Sequence, residues 1–160
     1  MRADDPILYA EDSDDDVFLL QRAFVRAQVT HPLVTVRDGR AAVDYLRSAQ
    51  NAEKSALRRT RPLPGLVLLD LKMPHLSGLD VLKWIRAPDN QIAHLPVLML
   101  STSGANQDIQ RSFAAGANGY LVKPSHPGEL DTLVSGLKQA LTHIETADWR
   151  NITGAKFPQQ

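Results

Sequence analysis

The sequence predicts an α/β fold, a doubly wound sheet of five parallel strands with helices on both faces. Five short apolar runs alternate along the chain with five segments whose apolar residues recur at helical spacing. Parallel neighbours in a sheet need crossover connections, which are helical and right-handed in most proteins. We expect the strand order 2-1-3-4-5, in which the carboxyl ends of the first and third strands meet at the switch point of the sheet.

The first strand is predicted at residues 7–10. It leads into Glu11-Asp12-Ser13-Asp14-Asp15-Asp16, in which five of six residues are acids. Apolar residues then recur at helical spacing from Val17 to Val29. Ser13 or Asp14 suits the N-cap of this helix, and the acids after it suit its first turn. Glu11 and Asp12 precede the cap, so capping does not account for them.

The second and third strands are predicted at residues 33–36 and 66–69, separated by a helix after Asp38-Gly39 and a polar connection over 48–64. The third strand ends at Asp70, because the proline at position 74 and the glycine at 78 cannot continue a central strand. Its carboxylate is therefore offered to a loop at the carboxyl edge of the sheet, where open α/β sheets bind ligands.

The remaining predicted elements repeat this pattern. They are a helix over 78–86, a strand over 96–100 followed by Ser101, a helix over 106–115, a strand over 119–122 followed by Lys123, and a last helix over 129–144. A hydroxyl and a cation thus follow the fourth and fifth strands.

The composition indicates one domain without a charge bias. The chain has 160 residues, and its 18 Lys+Arg equal its 18 Asp+Glu, so no global field favours nucleic acid or an anionic membrane. The absence of cysteine excludes disulfides, thiolate zinc sites and cysteine nucleophiles. No apolar run approaches the roughly 18 residues that span a bilayer, so we expect a cytoplasmic protein.

Five strand-end residues form the candidate site: Glu11, Asp12, Asp70, Ser101 and Lys123. Three neighbouring carboxylates raise one another's pKa unless a divalent ion is present, and an all-oxygen site suits Mg²⁺. The Lys123 ammonium and the Ser101 hydroxyl could contact the oxygens of an incoming phosphoryl group. The pattern therefore predicts Mg²⁺-dependent phosphorylation of Asp70.

Over residues 6–145 the chain resembles the response-regulator receiver domains of two-component signalling, which have a flavodoxin-like, CheY-like fold. The resemblance rests on Glu11-Asp12, on Leu68-Leu-Asp70-Leu-Lys-Met-Pro74 with Gly78, on Ser101, and on Tyr120-Leu-Val-Lys123-Pro124. It implies a phospho-acceptor switch with at most slow self-dephosphorylation, not an enzyme. The proposed domain spans residues 1–145.

The resemblance also assigns roles to residues. It implies that Asp12, Asp70 and the backbone carbonyl of Lys72 ligate Mg²⁺, with Glu11 acting through water. Ser101 and Lys123 would bind phosphoryl oxygens, and Ser101 with Tyr120 would form the switch. Lys72 and Ser103 flank the site, at positions that tune the lifetime of the phosphoryl group. Ser101 replaces the family's usual threonine but keeps the hydroxyl, so we expect function to survive.

The chain resembles more narrowly the stand-alone receivers paired with phytochrome-type histidine kinases. This resemblance rests on the stretch from Ala10 to Phe24, on the long connection before the third strand and on the absence of an output domain. The implied partner is a sensor histidine kinase such as a bacteriophytochrome, with signalling by protein contact or phosphorelay. The sequence offers no DNA-binding segment, so we expect no direct DNA contact.

The C-terminal extension, residues 146–160, carries Trp149, Ile152 and Phe157. Three large apolar residues are more than a solvated tail needs. We hypothesise that the extension packs as an arm on a second subunit, which predicts a homodimer.

Two other functions remain open at this point. A Mg²⁺-dependent phosphohydrolase with an aspartyl nucleophile would usually carry a second acid two residues later, where this chain has Lys72. A degenerate receiver that only binds partners would have lost Asp70, the acidic pair or Lys123, and all of these are present.

Overall fold

The computed structural model describes residues 5–53, 62–144 and 147–158. The strands are β1 Ile7–Ala10, β2 Leu33–Val36, β3 Leu66–Leu69, β4 Val97–Ser101, β5 Gly119–Val122 and β6 Ala155–Lys156. The helices are α1 Asp14–Arg26, α2 Gly39–Glu53, α3 Gly78–Ile85, α4 Asn106–Ala114 and α5 Pro127–Leu141, followed by a 3-10 helix at Trp149–Asn151.

The strands form one sheet in the order β2-β1-β3-β4-β5-β6. Strands β1 to β5 are parallel, which confirms the predicted fold class and strand order. The sixth strand, β6, was not predicted. It runs antiparallel to β5, with Tyr120 opposite Lys156 and Leu121 opposite Ala155.

Each face of the sheet carries its own apolar core, because successive strand side chains point to opposite faces. On one face Ile7, Tyr9 and Leu68 pack with residues of α1 and α5. On the other face Leu8 and Val67 pack with residues of α2, α3 and α4. The four residues of β1 and of β3 are all buried, as expected for parallel strands covered on both sides.

The C-terminal extension packs against its own chain. Trp149 and Ile152 are 8% and 3% exposed and belong to the core on the α1/α5 face. The Phe157 ring lies 5.1 Å from the ring of Phe113 in α4. Within one chain, Trp149 and Ile152 are buried and Phe157 is half-buried. The arm on a second subunit stays a prediction. The predicted boundary at 145/146 lies outside the described residues.

Among the residues the structure describes, no helix combines the length and the apolarity that a membrane span requires.

Candidate functional site

Hydrogen bonds just beyond the strands hold the candidate residues at one edge of the sheet. The amide of Asp70 donates to the carbonyl of Ala10 at 3.0 Å, and the amide of Lys123 donates to the carbonyl of Ser101 at 2.8 Å. The sheet register thus continues one residue past β3 and β5. As a result, the residues that follow β1, β3 and β5 lie at one edge of the sheet with Ser101, which the structure places as the last residue of β4.

The three predicted carboxylates come together. One oxygen from each of Glu11, Asp12 and Asp70 lies within 4.8 Å of the others. Glu11 and Asp70 are buried, at 1% and 6% exposure, whereas Asp12 is exposed. Hard oxygen donors at this spacing fit a Mg²⁺ ion that keeps part of its water shell.

The surroundings of Asp70 raise the pKa of its carboxyl on balance. Burial raises the pKa of the Asp70 carboxyl, the Lys123 ammonium opposes this rise, and the neighbouring Glu11 carboxylate adds to it. The amide of Lys72 donates to Asp70 Oδ2 at 3.2 Å. The Lys72 side chain is exposed, and ligation by its backbone carbonyl stays a prediction.

The loop after Asp70 is closed tightly by Gly78. The Gly78 amide donates to the carbonyl of Leu71 at 3.1 Å. A Cβ atom at Gly78 would lie 2.1 Å from the carbonyl oxygen of Asp70, so only glycine fits at this position. Gly78 therefore lets the chain return beside Asp70 and begin α3 at once.

Lys123 is the cation of the site. Its Nζ pairs with Glu11, lies 2.8 Å from Asp16 Oδ2, and lies 3.4 Å from Asp70 Oδ1. Burial lowers the pKa of Lys123, but hydrogen bonds to Asp16 and Glu11 outweigh it, so the net pKa is raised. Lys123 is therefore held charged beside the proposed phospho-acceptor.

Sequence reasoning missed two residues of this network. Asp16 was assigned only to the first turn of α1, yet its carboxylate also binds Lys123. The Tyr9 hydroxyl donates to Glu11 Oε2 at 2.9 Å, and burial followed by the Glu11 charge raises the pKa of Tyr9. Strand periodicity could have indicated Tyr9, because residues two apart point to the same face. The Asp16 pair spans 107 positions and has no local signal.

Ser101 and Tyr120 are linked through Ser103. The amide of Ser103 donates to Ser101 Oγ at 3.3 Å, and the Tyr120 hydroxyl donates to the Ser103 carbonyl at 2.8 Å. Tyr120 is fully buried, and burial raises its pKa. Ser103, predicted to flank the site, also donates its hydroxyl to Asp108.

Comparisons of the sequence with protein-family models and with curated proteins both find response regulators. A family model described as "Response regulator receiver domain" matches residues 7–135. The chain is 36% identical over 141 residues to the probable methanogenesis regulatory protein FilR2 of Methanothrix harundinacea, covering 87% of this chain and 86% of that protein. It is 35% identical over 133 residues to the response regulator Rcp1 of Synechocystis, covering 82% and 85%.

Solved structures of similar fold include two response regulators. The phosphorylated cyanobacterial phytochrome response regulator RcpA aligns with a TM-score of 0.74 and 33% identity, covering 88% of this chain and 96% of that one. The Mn²⁺-bound form of Rcp1 aligns with a TM-score of 0.70 and 33% identity, covering 90% and 97%.

Proposed function

Since this chain belongs to the response regulator receiver family, we propose that it is a switch that accepts a phosphoryl group on Asp70. The observation that carries the proposal is the position of Asp70, a buried carboxylate with Lys123 Nζ at 3.4 Å and two further carboxylates beside it. A structural aspartate would need neither the cation nor the acidic pair.

Asp12, Asp70 and the Lys72 carbonyl would hold Mg²⁺, with Glu11 acting through water. A bound Mg²⁺ would neutralise charge on the phosphoryl oxygens. The grouping of three carboxylates supports this assignment, and a related receiver, Rcp1, has been solved with Mn²⁺ bound. Lys123, whose Nζ lies 3.4 Å from Asp70 Oδ1, partly balances the charge of these carboxylates.

The proposed reaction moves a phosphoryl group from a phosphohistidine to Asp70. A carboxylate oxygen of Asp70 forms the new bond to phosphorus, and the bond from phosphorus to the imidazole nitrogen breaks with its electron pair left on nitrogen. The other ring nitrogen of the donor histidine carries a proton, so the imidazole leaves in its neutral form. Lys123 and Ser101 would bind the oxygens of the transferred group. The acyl phosphate, with a charge of about −2 in place of the single charge of the carboxylate, would then bias the pair Ser101 and Tyr120 between two arrangements. Each protein molecule accepts one phosphoryl group in this step, so the protein acts as the acceptor of the group and not as a catalyst that turns over.

The proposed donor is a sensor histidine kinase of the phytochrome type. The similarity to Rcp1 and to the phytochrome response regulator RcpA supports this choice. Helix α1, which starts beside the acidic pair, exposes Phe18 at 54% and Val25 at 77%. Phe18, about one turn into this helix, offers an apolar side chain to a protein partner at the end of α1 that adjoins the acidic pair, whereas Val25 lies near the opposite end. We propose the cytoplasm as the compartment, because such a kinase draws its phosphoryl group from ATP, and we propose no direct DNA contact.

The first experiment measures intact mass after incubation with Mg²⁺ and acetyl phosphate. Wild type should gain one adduct of about 80 Da, and Asp70→Asn should gain none. EDTA should abolish the adduct. The matched control is Asp44→Asn, which changes an exposed aspartate on α2 and should behave as wild type. An adduct that persists in Asp70→Asn would refute Asp70 as the acceptor.

Self-association is a separate proposal. Because the apolar residues of the extension are covered within one chain, a dimer through the extension would have to exchange these contacts between two copies. Light scattering of the full chain and of a truncation after Ile144 distinguishes a dimer that forms through the extension from a chain whose extension packs only on itself. A dimer that becomes a monomer on truncation would support the arm. The same number of chains per particle before and after truncation would refute it.

A further inference from the structure

The loop between β4 and α4 is organised around one residue, Ser103. Its amide donates to Ser101 Oγ at 3.3 Å, and its carbonyl accepts from the Tyr120 hydroxyl at 2.8 Å. Its own hydroxyl donates to Asp108 Oδ2 at 2.5 Å and accepts from the amide of Ala105 at 3.4 Å. Every polar group of Ser103 is therefore engaged, and three of its partners belong to different elements.

Asp108 is well placed to fix Ser103. It lies in the first turn of α4, where the helix dipole favours a carboxylate. Its backbone carbonyl accepts a hydrogen bond from the Ser112 hydroxyl at 2.8 Å, and Ser112 is fully buried. The Asp108 carboxylate is thus attached to a helix that is itself packed on the sheet. A hydrogen bond from a hydroxyl to a carboxylate at this length is stronger than one between neutral groups.

We propose that Asp108 is a positioning residue for the phosphoryl switch and acts through Ser103 on Ser101 and Tyr120. The proposal rests on the proposed phosphorylation of Asp70. A serine hydroxyl has one proton and two lone pairs. When Ser101 accepts from the Ser103 amide, one lone pair is occupied and its proton stays able to point at a phosphoryl oxygen.

The hydrogen bond between Ser103 and Asp108 also determines the environment of Tyr120. The carbonyl that holds the Tyr120 hydroxyl belongs to Ser103, so its direction depends on how the Ser103 side chain is anchored. Loss of the Asp108 carboxylate would free the Ser103 hydroxyl and let the loop over residues 102–105 change conformation. Ser101 and Tyr120 would then lose their fixed relation together.

The test compares Asp108→Ala, Ser103→Ala, the double variant and Ser103→Thr. After phosphorylation with acetyl phosphate, the rate at which the 80-Da adduct disappears is followed by intact mass. Each alanine variant should change this rate in the same direction by at least about twofold, the lower end for residues in contact. The double variant should lose the adduct at the same rate as each single variant. Ser103→Thr, which keeps the hydroxyl, should lose it at the wild-type rate.

A second readout follows Tyr120 directly. The chain has three tyrosines, so 3-fluorotyrosine labelling gives few ¹⁹F resonances, and Tyr120→Phe assigns the relevant one. Asp108→Ala and Ser103→Ala should both shift the Tyr120 resonance of the unphosphorylated protein. The exposed α4 residue Gln110 provides the control, since Gln110→Ala should change neither the resonance nor the adduct lifetime.

Three results would overturn the proposal. They are additive effects of the two alanine substitutions, an unchanged Tyr120 resonance in Asp108→Ala, and an equal shift in Gln110→Ala. If wild type itself gains no adduct, the proposed phosphorylation fails, whereas the ¹⁹F comparison still decides whether Asp108 positions Tyr120. Thermal unfolding of each variant verifies that it is folded at the temperature of measurement.

Discussion

Asp70 faces opposing demands, because a nucleophilic carboxylate must be ionised whereas a buried one resists ionisation. Burial and the Glu11 charge raise the pKa of Asp70, and Lys123 offsets part of this rise. Asp16 and Glu11 in turn keep Lys123 charged. The ionised Asp70 is therefore a destabilised group in the metal-free protein, and a cation bound beside it would relieve that cost.

This arrangement predicts that Asp70→Asn stabilises the metal-free protein at pH 7 to 8. A carboxyl whose folded-state pKa is raised holds its proton more tightly when folded, so folding becomes less favourable as the pH rises through that pKa. The asparagine variant lacks this cost. Urea unfolding of both proteins in EDTA, between pH 4 and 8, should show a free-energy difference that is largest at pH 8 and shrinks toward pH 4. A difference independent of pH would contradict this account.

Residues at the strand ends could be predicted as neighbours because β-strand order brings them to one edge irrespective of their distance in sequence. The Lys123–Asp16 pair could not, since the acids after Ser13 were already explained by helix capping. The structure bears out that capping as well, with Ser13 Oγ accepting from the amide of Asp16. Asp16 thus belongs to the capped first turn of α1 and also pairs with Lys123. Because the capping pattern already accounted for Asp16, the sequence offered no reason to look for the distant partner.

Among the elements, α3 has the most complete N-terminal cap. Ser77 Oγ accepts from the amide of Asp80 at 3.2 Å, and Asp80 Oδ2 accepts from the Ser77 amide at 3.0 Å. This capping box satisfies amides that the helix leaves unpaired. It directly precedes Gly78, which contacts the backbone of Asp70. The cap therefore fixes the helix that ends the loop after the proposed phospho-acceptor.

We expect Ser77→Ala to lower the free energy of unfolding by about 1 kcal/mol, the usual cost of removing a serine N-cap. Hydrogen bonds from Ser77 lower the pKa of Asp80. A carboxyl with a lowered folded-state pKa contributes stability above its unfolded pKa and loses it as the pH falls through the folded value. The cost of Ser77→Ala should therefore decrease at strongly acidic pH. Ser135→Ala, an exposed serine within α5, is the control, and an equal cost there would argue against a capping effect.

Element prediction succeeded where the apolar pattern is strong and failed at β6. The five parallel strands are short apolar runs, whereas β6 consists of Ala155 and Lys156 and has no such pattern. Its pairing is determined by tertiary contacts, since Trp149 lies beside Gly119 of β5 and Ile152 lies beside Gly136 of α5. Local sequence carries no information about such a strand.

For the molecule as a whole, the C-terminal extension forms part of the core and part of the sheet. A Cβ atom at Gly119 would lie 3.2 Å from the Cβ of Trp149, and a Cβ at Gly136 would lie 3.5 Å from Ile152. The small residues of β5 and α5 thus leave room for the large residues of the extension. This fit within one chain indicates that the extension contributes to the stability of the protein.

The fit predicts that Trp149→Ala lowers the free energy of unfolding by about 3 kcal/mol, as expected for truncating a buried aromatic side chain. Arg150→Ala is the matched control, because its side chain is exposed and pairs only with the neighbouring Asp148 among the contacts described; it should change stability by less than about 0.5 kcal/mol. Chemical denaturation of both variants measures the two values. Equal, small effects would show that the extension does not stabilise the folded chain.

The match to the family model ends at residue 135, within α5, while apolar packing continues through Leu137, Leu141, Trp149 and Ile152. A chimera joined at residue 135 would therefore cut one helix in two and discard the part of the core that these residues form. It would also leave β5, the strand that carries Tyr120, as an open sheet edge able to pair with other chains. The natural joint for grafting a reporter or an output module lies after the sixth strand, beyond Phe157.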